Sequence, residues 1–236
     1  MFGALARPAF SILLALSVHS VGISVYTSPT SAPVPQVLAW VSFAGADGPI
    51  SSSTLWTSGE AWSPLVGTWA QAGHAAIVSP AKANARALAH VATASDHDRI
   101  VAIMTSRTGA AAVEGGVIAA STDASTRSAL IATVAATGAL ELRSVTGVGA
   151  ISTLIASSAA GVVGGSSIEI SLRLSGGIAT ATARSLVGGT TSSLVTLSAT
   201  PSASILRDLA GQTGYGIYAN STIDLAFTSI RVEVPL

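Results

Sequence analysis

Eleven carboxylates and four histidines are the raw material for chemistry in this 236-residue chain, and they are thinly spread. The acids are Glu60, Glu114, Glu141, Glu169 and Glu233, with Asp47, Asp96, Asp98, Asp123, Asp208 and Asp224. No stretch sets three of them at alternate positions on one strand face. His19, His74, His90 and His97 form no His-x-x-x-His pair, and cysteine is absent, so neither a thiolate metal site nor a disulfide exists. No Gly-x-Ser-x-Gly elbow marks a nucleophile. Gly211–Gly216 holds three glycines but follows a helical turn and precedes a strand, so it is no dinucleotide loop. The densest polar group is Asp96-His97-Asp98. Two carboxylates two apart can point the same way and hold Ca²⁺ with backbone oxygens. The plainer reading, which we prefer, is a charged turn in which an Asp accepts backbone N–H bonds. Trp40, Trp56, Trp62 and Trp69 are the aromatic candidates. Trp69 reads as core, and Trp56 and Trp62 are the better candidates for stacking on sugar rings; the competing reading makes them core plugs of an aromatic-poor protein.

The elements that must position these residues are strands. At the end of the chain, Ile217 and Ala219, then Ile223, Leu225 and Phe227, then Ile230, Val232 and Val234 set apolar residues two apart, the period of a strand. The parity switch between Phe227 and Ile230 inserts one extra residue, as a bulge does. Asn220-Ser221 breaks the run at a turn, and the last strand then returns across a β-sandwich. Upstream, Gln36–Phe43 is a strand candidate. Further strands are expected near 73–79, 85–91, 99–106, 116–121, 128–134, 139–144, 151–156, 167–174, 178–184 and 194–198. Gly176-Gly177 and Gly188-Gly189 read as hairpin or loop turns. Ser204–Ala210 is the one helical turn, with Ile205 and Leu209 four apart.

Composition narrows the class. A chain of this length buries one large core. Only 9% of residues are charged and the net charge is zero, so there is no electrostatic footprint for nucleic acid or anionic lipid. Hydrophobic residues reach 49% with aromatics at 5%, which describes a small-residue core under a Ser/Thr/Ala/Gly surface. A surface so poor in charge resembles the inner part of protein–protein interfaces.

Residues 1–35 stand apart as an arm and linker, and 36–236 as the sandwich. Arg7 followed by Ala9–Leu16 has the charged start and apolar middle of a signal peptide. The segment is too short and too interrupted for a membrane span. Near-alternation across Leu16, Val18, Val21, Ile23 and Val25 favours strands instead. Phe10, Ile12, Leu14, Leu16, Val18, Val21, Ile23 and Val25 are therefore expected to form an assembly arm that adds strands to a neighbour or to its own sandwich. Thr27–Pro35 is an extended Pro/Ser/Thr linker.

The succession GEAWSPLVGTW, DRIVAIMTS, GGVIAAST, GALELRS, SSIEISLRLSGG and GQTGYGIYANSTIDLAFTSIRVEV resembles the concanavalin A-like, laminin G-like jelly rolls, over roughly Gln36–Leu236. That resemblance implies an all-β jelly-roll sandwich of the kind found in bacteriophage tail, fibre and capsid-surface proteins and in secreted carbohydrate-binding modules. Laminin G-like Ca²⁺ sites lie in loops, where Asp47 and Asp123 fall. The β-glucanases of this fold carry a Glu-x-Asp-x-Glu strand, which this chain lacks, so an enzyme is not expected. The leading expectation is a non-enzymatic virion structural protein, a minor tail or capsid decoration subunit. It would dock to other virion subunits and to copies of itself through the arm, with a host-surface glycan as a further partner. The alternative is a secreted or surface-anchored carbohydrate-binding module.

Overall fold

The computed structural model describes residues 34–41, 43, 45–50, 56–78, 85–106, 114–121, 128–147, 152–161, 163–187, 190–191, 193–220 and 225–235. The expected assembly arm, Phe10 to Val25, lies outside the described residues, as do Gly188-Gly189 and Asp123. Pro35–Pro235 form one compact unit.

In chain order the strands are β1 (Gln36–Val41), β2 (Gly48–Pro49), β3 (Ser63–Val66), β4 (Trp69–Gln71), β5 (Ala76–Val78) and β6 (Ala85–His90). They continue with β7 (Arg99–Ser106), β8 (Gly115–Ser121), β9 (Ser128–Val134), β10 (Leu140–Thr146), β11 (Thr153–Ser157) and β12 (Ser167–Ser175). The last are β13 (Ile178–Val187), β14 (Thr190–Thr191), β15 (Val195–Ala199), β16 (Gly214–Ala219) and β17 (Leu225–Val234), with helix α1 (Ala203–Leu209) between β15 and β16.

They build two antiparallel sheets. The larger runs β14-β13-β12-β7-β17-β5-β4-β2, with β1 also on β17 and β15 also on β13; the smaller runs β11-β10-β9-β8-β16-β6-β3. Consecutive hairpins such as β8-β9-β10-β11 are joined by pairings between distant parts of the chain, β16 on β6 and β8, and β17 on β7, as in a jelly roll. β16 sits in the smaller sheet and β17 in the larger, so the chain end does cross the sandwich. The register of β17 against β7 shifts between Phe227 and Ser229, where the sequence places its extra residue. Gly176 and Gly177 both take positive φ (58° and 77°) and close the β12–β13 hairpin, a pair of left-handed conformations only glycine adopts without strain.

Alternation drives the packing. Ile100, Ala102 and Met104 of β7, Ile168, Ile170 and Leu172 of β12, and Ile230 and Val232 of β17 face the inner layer. They meet Leu130 and Ala132 of β9, Leu140 and Leu142 of β10, and Tyr215 and Ile217 of β16. Helix α1 starts at Ser202, whose hydroxyl accepts from Ile205 N, and it plugs one end of the core with Ile205 and Leu209. β9 departs from the two-faced pattern, being buried at every position. Its outward residues Ala129 and Ile131 join Leu88, Ile118, Val145 and Tyr218 in a second apolar cluster on the outward side of the smaller sheet.

Candidate functional site

Trp56 and Trp62 do not offer a sugar a face. Each is 2% exposed, and their rings lie 5.2 Å apart at 34° inside the main core. Trp56 bridges to Val41 of β1, which draws the 56–62 turn down against the larger sheet. The stacking expectation is corrected accordingly: two large, mostly apolar rings packed within the main hydrophobic core are more stable inside than in water. Trp69 is core as expected, against Phe227 at 6.1 Å, with its indole N–H donating to Val66 O at 3.2 Å.

Asp96 and Asp98 belong to a turn. Asp98 Oδ2 accepts from Ser95 N at 2.6 Å and from Ser95 Oγ at 3.2 Å, while Asp96 Oδ2 accepts from Gly211 N at 2.7 Å. Tyr215 of β16 reaches the same turn and donates its hydroxyl to Ser95 O. The two carboxylates are thus spent on separate backbone donors, one fastening the turn and the other tying it to the end of α1. Among the described residues no three His, Asp or Glu side chains gather in one place. Asp47 likewise accepts from a backbone, that of Gly73, at 3.1 Å.

What the structure does assemble is a polar cleft on the outward face of the smaller sheet. It holds ≈ 80 Å³ and is lined by Glu114, Thr133, Val134, Ala135, Ala136, Glu141, Arg143, Tyr218 and Asn220. Register explains the meeting. Tyr218 of β16 stands opposite Gly116 of β8, Gly116 opposite Thr133 of β9, and Thr133 opposite Glu141 of β10. Arg86 of β6 is the partner of Tyr218 on the other side. One row across five strands therefore reads Arg86, Tyr218, Gly116, Thr133, Glu141. Gly116 is fixed by contact, since a Cβ there would fall 1.8 Å from Ala132 O.

The polar groups of this row are held in place. Arg143 Nε donates to Glu141 Oε2 at 2.7 Å, and its Nη1 lies 3.3 Å from Ser152 Oγ. Thr133 Oγ1 donates to Gly115 O at 2.9 Å, and Asn220 N donates to Glu114 O at 3.1 Å. Burial pushes the Tyr218 hydroxyl above its ordinary pKa, against the opposing pull of Ser152 and of the Arg86 and Arg143 guanidinia. Burial also lowers Arg86 from its ordinary value, with Tyr218 acting the other way. Tyr218 is therefore a neutral hydroxyl able to donate and accept. Carboxylates, a guanidinium, an amide side chain and hydroxyls around a shallow opening suit a polyhydroxylated ligand, each group accepting from or donating to vicinal hydroxyls.

Sequence reasoning names Glu114 and Glu141 only as isolated acids; Tyr215 and Tyr218 stand three positions apart on β16. They are on opposite faces, and both are buried, Tyr215 in the main core and Tyr218 in the outer cluster. The signal within reach was the alternation Glu141-Leu-Arg143, an outward ion pair on one strand. The rest of its row comes from four more strands and leaves no local mark.

No family model matches the chain, and no curated protein matches it. Solved structures do. The carbohydrate-binding module CBM66 from Bacillus subtilis superposes with a TM-score of 0.52 at 14% identity, over 73% of this chain and 94% of that chain. The Ca²⁺-bound exoplasmic/lumenal domain of VIP36 gives 0.49 at 9% identity, over 75% and 84%. A lectin from Bauhinia forficata in complex with GalNAc gives 0.46 at 8% identity, over 80% and 98%. The first likeness and the two-sheet topology make this a concanavalin A-like jelly-roll β-sandwich. At such identity the likeness reaches the fold and stops there.

Proposed function

We propose that this chain is a non-catalytic carbohydrate-binding module, secreted or displayed on a surface, that holds one edge of a neutral sugar in the Glu114–Glu141–Arg143–Tyr218–Asn220 cleft. The observation that carries this reading is the cleft itself, a fixed row of paired donors and acceptors on the outward side of the smaller sheet. The fold shared with a carbohydrate-binding module supports it. Two carboxylates and two guanidinia (Arg86, Arg143) around the row balance in charge, which favours an uncharged ligand. At ≈ 80 Å³ the cleft takes one edge of a sugar and does not enclose it, since sites that enclose a small molecule run to roughly 300–1,000 Å³. Glu141 is tied to Arg143, and Arg143 to Ser152, so that carboxylate serves a binding fork and is not poised over a glycosidic bond.

A glycan array on the full chain, repeated with Glu141→Gln and Asn220→Ala, tests the reading. Retained folding with lost binding in both variants supports it. Binding by the variants as strong as by the parent, or release of reducing sugar from any bound glycan, refutes it.

A second reading keeps the module and adds a carrier, a bacteriophage particle to which residues 1–35 dock, with a host-surface glycan as ligand. Its support is sequence alone, the alternating apolar Val21, Ile23 and Val25 and a surface with 9% charge in the whole chain. Sedimentation of the full chain beside a Val21→Ser, Ile23→Ser, Val25→Ser variant tests it. An oligomer lost in the variant favours the carrier, and two identical monomers reject it.

A further inference from the structure

The outward face of the larger sheet carries a charge arrangement that the cleft does not use. Trp40 of β1 stands opposite Arg231 of β17. In the next row Glu233 of β17 stands opposite Arg99 of β7, and Arg99 opposite Arg173 of β12. Their chain neighbours Ile100, Leu172 and Val232 are buried in the core, so these side chains point outward. Glu233 has a side chain only 2% exposed because two guanidinia lie over it. Arg99 Nε donates to Glu233 Oε1 at 2.9 Å, and Arg231 Nε to Glu233 Oε2 at 2.8 Å. Arg173 Nε donates to the His97 carbonyl at 3.2 Å. One strand further along the same face, Glu169 and Arg184 form a balanced pair at 2.7 Å.

The imbalance needs a reason. Like charges directly opposite each other across a ladder destabilise a sheet, yet Arg99 and Arg173 are such a pair. The carboxylate within the group, Glu233, already serves Arg99 and Arg231. In a chain of zero net charge, three guanidinia over one carboxylate make a local positive stripe. The stripe ends at Trp40, which is 48% exposed on an otherwise aromatic-poor surface. At the other end Thr180 Oγ1 and Ser198 Oγ, 3.0 Å apart, extend it as a hydroxyl pair. From Trp40 to Arg173 spans three strand spacings, about 14 Å.

We propose that this face is a second ligand site, separate from the cleft, that binds a uronate-bearing polysaccharide. The carboxylates lie on the guanidinium stripe, where the planar fork matches them in two bonds, and one ring stacks on Trp40. Glu233 holds two of the forks in place, so little side-chain freedom is lost on binding. A single-stranded nucleic acid is the competing polyanion. It prefers successive aromatic platforms, of which this face offers one.

The test is titration calorimetry on the full chain with polygalacturonate, with the same polymer fully methyl-esterified, and with an oligothymidylate. Each is run at roughly 0.01 M and 0.15 M salt, where the screening length falls from about 30 Å to about 8 Å. Polygalacturonate is expected to bind at low salt and weaken steeply at high salt, with the esterified polymer weaker by at least about tenfold, the loss of one charged contact. Arg173→Ala and Trp40→Ala, neither of which removes a bond to Glu233, each weaken it by about tenfold with unchanged melting. Glu141→Gln, in the cleft, leaves it unchanged, so failure of the neutral-sugar reading leaves this result standing, and the reverse holds too. No binding of polygalacturonate at low salt, equal binding of the esterified polymer, tighter binding of the oligothymidylate, or loss with Glu141→Gln alone each overturns the proposal.

Discussion

Replacing Trp62 with alanine separates a binding tryptophan from a core one. The indole is 2% exposed and stacks on Trp56 at 5.2 Å. A buried Trp removes roughly 150–250 Å² from water, and at about 25 cal/mol per Å² that is about 4–6 kcal/mol as an upper bound. Measured Trp-to-Ala costs in cores run about 3–5 kcal/mol. A domain of this size is stable by roughly 5–15 kcal/mol in total. The variant should therefore fold with a large loss, visible as a fall in Tm of roughly 6–20 °C. Urea melts with an unchanged m-value and a lower midpoint would assign the loss to packing. Trp56→Ala should behave alike, and the double variant should lose less than the sum because the rings share one contact. A glycan titration at a temperature where Trp62→Ala is still folded should give the parent affinity. A Tm within about 2 °C of the parent, together with abolished glycan binding, would refute the core assignment.

Gly116→Ala should cost about 1–3 kcal/mol, because its Cβ would meet the Ala132 carbonyl oxygen, which cannot yield without moving β9; a denaturant melt equal to the parent's would contradict that. Alkaline stability follows from Tyr215 and Tyr218. Burial raises both hydroxyls above their ordinary pKa, and for Tyr215 the nearby Asp98 and Asp96 add to the rise. The neutral form is favoured in the folded state, so this stabilisation is whole below about pH 10 and fades as pH climbs toward the folded values. Thermal melts should fall above that pH, with a shallower slope in Tyr215→Phe; identical slopes would show that Tyr215 has no part. Asp98→Asn should lower Tm by loosening the Ser95 turn, and to the same extent with Ca²⁺ or with chelator present. A Ca²⁺-dependent rise in the parent that the variant lacks would restore the metal reading.

The elements were legible because the larger sheet has one dry and one wet face. β12 alternates buried and part-exposed residues through Ile168, Glu169 and Ile170, and the bulge of β17 announces itself as a change of parity. The helical turn shows through Ile205 and Leu209 for the same reason, one face against the core. The site was not legible. β9 of the smaller sheet is buried on both sides and reads as a buried run, and Thr133 in it gives no hint that it fronts a cleft. Arg86 and Glu141 share one row of the sheet although 55 positions separate them in sequence, and only register joins them. Trp56 and Trp62 misled because they sit around a turn, where neither strand nor helix period says which way a ring points.

Chemical-shift mapping on the full chain, with the tightest neutral glycan from the array as titrant, bears most directly on the binding claim. The account predicts saturable shifts at Glu114, Thr133, Glu141, Arg143, Tyr218 and Asn220, with the sugar recovered intact. Shifts gathered away from those residues, or a cleaved sugar, would contradict it.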